Sequence, residues 1–167
     1  MKKIYKKGVL FVLLWTQIEA HEEQIDRSGF SFGMGMNVIA GCEKDDIYDE
    51  ESNIVDTDTY CGALPFVNLS LGYGITPQTK LNLELKTLIF AGALELKTQY
   101  YVENREDTIY WYGGAGVLYA VGHGADTWAV GDLGVGYAKG HTEYEIGIMK
   151  TSGSQAPMLT LGIKYAF

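Results

Sequence analysis

The 167-residue chain is poor in proline, cysteine and histidine, with 3, 2 and 3 of each. It has no apolar run of the roughly 20 residues that a membrane-crossing helix takes; Val9–Trp15 runs to seven. Bases are scarce too, with 13 Lys and Arg against 21 Asp and Glu and a formal charge of −8. That balance argues against nucleic acid, which is held by neutralising its phosphates. What the chain does have is 47% apolar residues, too many for a disordered tail. Twelve Tyr and 21 Gly point to strands rather than helices.

The first 20 residues read as a secretory signal peptide. Lys2, Lys3, Lys6 and Lys7 form a basic start, Val9–Trp15 an apolar centre, and a polar stretch ends at Ala20. Cleavage there would leave nine basic and 20 acidic residues, a net charge of −11 over 147 residues. Residues 21–28 are then a short N-terminal segment on the periplasmic side, and 29–167 form one domain. Cys42 and Cys61 bracket 18 residues that hold eight acids: Glu43, Asp45, Asp46, Asp49, Glu50, Glu51, Asp56 and Asp58. In an exported chain such a pair reads most simply as a disulfide, with free or metal-binding thiols as the alternative.

From residue 29 onward the pattern is period two, the strand signal. Eight stretches of about ten residues alternate, the length a tilted strand needs to cross a bilayer. They are 29–41, 63–74, 80–90, 93–102, 108–121, 128–138, 142–150 and 158–167. The connections expected between them are 42–62, 75–79, 91–92, 103–107, 122–127, 139–141 and 151–157. Counting from 75–79, every second one is short, and the other set holds the longest loop.

One face of these stretches is apolar. The other carries Glu84, Lys86, Glu95, Lys97, Asp132, Glu143, Glu145 and Lys164, together with many glycines. In a soluble ligand-binding barrel the apolar face would be the core. In a membrane barrel it faces lipid, and the charges point inward. Phe30, Tyr73, Tyr100, Trp111, Tyr137, Tyr144 and Tyr165 fall near one rim of the apolar face, as an interfacial girdle would. The fold expected is all-β, an eight-stranded antiparallel up-and-down transmembrane barrel. Eight strands leave an interior that side chains fill. The inward charges therefore read as a polar network that plugs it, with partners expected for each. The two excess acids of that set are left open: protonated, hydrated or paired with a small cation.

The last strand, LTLGIKYAF, alternates apolar residues and ends in Phe167. Here the chain resembles the small eight-stranded outer-membrane barrels of Gram-negative bacteria, of the OmpA, OmpX and opacity-protein type. The resemblance covers about residues 29–167 as a pattern. It implies that Leu161, Ile163, Tyr165 and Phe167 are the signal read by the barrel-assembly machinery. It also implies a bare barrel, with no peptidoglycan-binding domain after the eighth strand. Location is then the outer membrane, with lipid and lipopolysaccharide as surroundings and a monomer as the expected state.

Activity is less legible. His123 and Asp126, with Ser152 and Ser154, sit on neighbouring loops and could form a lipid A-modifying triad, but their spacing matches no such motif. The acidic segment suits Ca²⁺ or Mg²⁺ in ligand type but lacks D-x-D-x-D-G spacing, so a solvated acidic loop is the simpler reading. A narrow cation-preferring porin is the main alternative to a structural or surface-interaction barrel. No cofactor, catalytic or metal residue is assigned, and no enzyme activity is expected.

Overall fold

The computed structural model describes residues 26–48, 54–121, 125–154 and 156–167. Eight strands follow one another: β1 (Gly29–Tyr48), β2 (Ile54–Thr76), β3 (Thr79–Leu88), β4 (Ala91–Tyr101), β5 (Asp107–Val121), β6 (Ala125–Lys139), β7 (Thr142–Thr151) and β8 (Met158–Ala166). Each pairs antiparallel with its neighbours, and β1 pairs with β8, so the barrel is closed. Closure removes every sheet edge in the wall, which is what allows strands to sit in hydrocarbon.

The sidedness is inverted relative to a water-soluble protein. Leu83, Leu96, Leu133, Ile146, Ile148, Leu161 and Ile163 are exposed on the outer face, while Lys86, Glu84, Glu95 and Lys97 are at most 1% exposed inside. A barrel immersed in lipid has this polarity. A lipocalin-type soluble barrel needs the opposite, so the structure sets that alternative aside. Phe30, Tyr73, Tyr100, Trp111, Tyr144 and Tyr165 are exposed on the outer face, and Tyr137 half-buried, at the rim where β1 begins and β8 ends. Phe30 packs on Tyr73 at 5.0 Å between centroids, and Tyr165 meets Phe167 at 4.9 Å.

Several boundaries differ from the sequence expectation; β6, for example, begins at Ala125 rather than 128. Residues 42–48 and 54–62 are strand, not irregular loop. β1 and β2 stay paired up to Tyr48↔Ile54, whereas β1 loses β8 after Ala40↔Leu159 and β2 has no β3 partner beyond Val67↔Thr87. The two strands therefore leave the wall together as a long hairpin. The β3–β4 turn is Ile89–Phe90, not Ala91–Gly92, because Gly92 is a strand residue paired with Tyr119. A Cβ at Gly92 would collide with the Tyr119 ring, so this glycine seats an aromatic rather than making a turn. The β2–β3 connection narrows to the two residues 77–78. At the β6–β7 turn, Gly140 has φ +57°, a conformation glycine adopts without strain.

Candidate functional site

The lumen has two zones, and the register fixes both. In the half nearer the chain ends, the inward positions of β3, β4, β6, β7 and β8 carry the charges. Glu84 lies between two lysines, 2.9 Å from Lys97 Nζ and 3.1 Å from Lys164 Nζ. Lys97 also reaches Glu145 at 3.0 Å, and Lys164 reaches Glu143 at 3.0 Å. Lys86 donates to both oxygens of Glu95, at 2.9 and 2.8 Å, and lies 3.6 Å from Asp132. The eight network residues predicted from the alternation are thus brought together, each within 4 Å of an opposite charge.

Sequence reasoning left out the groups that complete this network. Lys80, at the start of β3, is 5% exposed and lies 3.8 Å from Glu143. It reads as a strand-end residue unless the two-residue turn before it is recognised. Five buried acids then face four buried lysines, so the excess of two acids falls to one. Arg27 sits at the mouth beside them, its guanidinium 4.4 Å from the Tyr101 ring centroid, and it donates to the Arg105 carbonyl. Just before it, hydrogen bonds from Ser28 hold the Asp26 carboxyl below its usual range.

Uncharged groups cross-link the ions. Tyr101 donates to Glu143 at 2.9 Å and Tyr110 to Glu145 at 3.0 Å. Gln99 donates to both glutamates at 3.2 Å and accepts from Asn82 at 2.6 Å. Lys97 Nζ stands 4.3 Å above the Tyr112 ring. These tyrosines fit because glycine lies opposite them: a Cβ at Gly136 would meet the Tyr110 ring, and one at Gly147 the Tyr112 hydroxyl. Lumen glycine therefore makes room for bulky polar side chains in a narrow barrel.

Toward the other rim the lumen changes character. Ile39, Phe66, Ala91, Val130 and Met149 form a buried apolar cluster, with Leu88, Leu118, Ala120 and Met158 packed against it. Period-two alternation does not flag these residues. Their signal is its loss, in pairs such as Val38–Ile39, Phe66–Val67, Val117–Leu118 and Ile148–Met149, where both faces are apolar.

The remaining candidates are dispersed. Cys42 and Cys61 are register partners on the hairpin and are joined by a disulfide, which excludes thiol metal ligation. Among the acids they bracket, Asp58 accepts from Tyr60 at 3.1 Å, and the other side chains lie outside the described residues. Among the described residues, no group of three His, Cys, Asp or Glu could hold a metal. His123 and the Asp126 side chain are likewise outside them. Ser152 accepts from the Ala129 amide at 3.1 Å, and Ser154 donates to the Ala156 carbonyl at 2.9 Å, so both hydroxyls serve the loop. Leu161, Ile163, Tyr165 and Phe167 are all exposed on the outer face of the last strand and its end. The expected signal peptide lies outside the described residues.

No protein-family model matches the chain, and no curated protein matches it. Two solved structures are similar in shape. One is the N-terminal β-barrel domain of Pseudomonas aeruginosa OprF, at 13% identity and TM-score 0.45, covering 81% of this chain and 97% of that one. The other is the outer membrane protein OprG from Pseudomonas aeruginosa, at 16% identity and TM-score 0.47, covering 87% and 99%.

Proposed function

We propose that the chain is an integral outer-membrane barrel with a closed interior, a structural and surface-interaction protein rather than a channel or an enzyme. Lipid and lipopolysaccharide surround its apolar belt, and it acts as a monomer. The rim with the chain ends faces the periplasm, and the disulfide-pinned acidic hairpin projects outward as the contact surface. The observation that carries this reading is the lumen network. Glu84, Lys97, Glu145, Lys164 and Glu143 are joined across the barrel by contacts of 2.9 to 3.1 Å, and all five side chains are buried in the lumen. Such a plug is stable only because its charges are mutually paired.

The test is single-channel recording of the refolded mature protein in planar bilayers, after a heat-modifiable gel shift shows that it has folded. A folded, electrically silent barrel is expected. Stable unitary currents with cation preference would overturn the plug and make the protein a narrow porin.

A further inference from the structure

We infer that the apolar half of the lumen is a binding chamber for one small, uncharged, apolar molecule that enters from the hairpin rim. The inference goes beyond the proposed role and does not depend on whether the barrel conducts. The chamber has a volume of about 730 Å³ and opens between the hairpin and the β7–β8 loop. That size lies within the range of roughly 300–1,000 Å³ for sites that enclose drug-sized ligands. Its floor and walls include Ile39, Phe66, Ala91, Leu118 and Met158, and none of its described lining residues is charged.

Two polar side chains at its mouth are already engaged. Thr151 Oγ1 accepts from the Ser154 amide at 3.1 Å, and Ser154 donates to the Ala156 carbonyl. Water in this space therefore has few partners, and an apolar solute that displaces it gains the burial energy. A charged solute would lose its hydration without compensation. The ionic layer around Lys86, Glu95 and Asp132 begins beyond the apolar cluster and sets the depth of the chamber.

Trp128 lines the chamber, its indole against Gly153, and supplies a reporter. After removal of residues 1–20, the other tryptophan is Trp111 on the outer face. The W111F variant in lipid vesicles is titrated with neutral 1-aminoanthracene, which accepts energy from tryptophan. Saturable quenching of Trp128 at one probe per barrel is expected, whereas W128F should show only the linear quenching of probe dissolved in lipid. Ala91→Phe, in the W111F background, fills the chamber and should weaken the saturable phase at least tenfold while heat-modifiable folding persists. In the unfilled W111F protein, 1-naphthol should displace the probe and 1-naphthalenesulfonate should not. This comparison stands even if the filled variant fails to fold. Linear quenching in W111F, displacement by the sulfonate, or saturation unchanged by Ala91→Phe would overturn the inference.

Discussion

The two halves of the lumen are built from the same strands yet solve opposite problems. Near the rim where β1 begins and β8 ends, inward positions carry charges, amides and hydroxyls, and every buried charge has an opposite charge within 4 Å. Near the hairpin rim, the described inward positions are mostly apolar, and Ile39, Phe66, Ala91 and Leu118 line an open space. The first half buys rigidity, because a charge in a narrow barrel is tolerable only when paired. The second half gives up packing density in return for volume. A mixed arrangement would have the faults of both, with unpaired charge beside unfilled space.

The largest expected effect comes from breaking the polar half. Glu84→Ala leaves Lys97 and Lys164 without the carboxylate that joins them. Loss of about 3–5 kcal/mol is expected, as for other broken buried pairs. Urea unfolding in lipid vesicles, followed by gel mobility, measures it. Recovery of part of the loss on adding Lys164→Met would show that the broken ionic contacts, and not the lost volume, set the cost. An unchanged midpoint in Glu84→Ala would mean that the network is hydrated and soft.

Next is the outer face, where sidedness can be tested across one peptide bond. Val117 is exposed outward and Leu118 faces the apolar chamber. Val117→Arg, like Leu83→Arg, should cost about 2–4 kcal/mol if these sites lie near the middle of the bilayer. Leu118→Arg should cost less, because its guanidinium can reach water through the open mouth. Equal costs at 117 and 118 in the same unfolding assay would contradict the assignment of faces.

The contrast also explains what could be read from sequence. Alternation with charge on one face and leucine on the other, as in Leu81–Lys86, makes the strands and their two faces legible, because a one-residue slip would put charge on the apolar face. Which face is inside is carried by the aromatic rim and the last strand. The hairpin beyond the wall escaped because both of its faces are polar, so Glu43–Tyr48 shows no period. The Ile89–Phe90 turn escaped because it lacks turn residues, while Gly92 imitates one. Lys80 sits at a strand boundary, where alternation does not assign it a face, and counting it lowers the acid excess from two to one. The chamber was invisible for a deeper reason. Strands apolar on both faces carry no periodic signal, and only the register brings Ile39, Phe66 and Val130 into one cluster.

A smaller effect is expected at the hairpin. The loop-entropy picture gives a disulfide closing a loop of this length about 3 kcal/mol. Here the closed ring lies wholly above the last β1–β8 and β2–β3 pairs. Where the hairpin frays while the barrel stays folded, the ring is open in both states of the global transition and its entropy cancels. Cys42→Ser paired with Cys61→Ser should therefore shift barrel stability by less than the loop-entropy value, while making the hairpin cleavable by added protease. A full 3 kcal/mol loss in global unfolding would mean that the hairpin and wall fold as one unit.

The smallest effect is expected where the polar half meets the periplasmic rim. Arg27 precedes the first strand, stacks over Tyr101 at 4.4 Å and donates to the Arg105 carbonyl in the β4–β5 turn. It thus ties the chain entering the barrel to a turn 78 residues away. Its guanidinium is only partly buried, so solvent screens its attraction to Glu143 and the cation–π contact is the main loss. Arg27→Ala should cost about 1 kcal/mol in urea unfolding and speed amide exchange at Tyr101 and Val102, next to that turn. Arg27→Lys keeps the charge but loses the flat stacking surface and the fork of donors. If Arg27→Lys matches wild type, charge balance governs the mouth. If it matches Arg27→Ala, stacking and the bond to the turn govern it, and the network proper ends at Lys80 and Glu143.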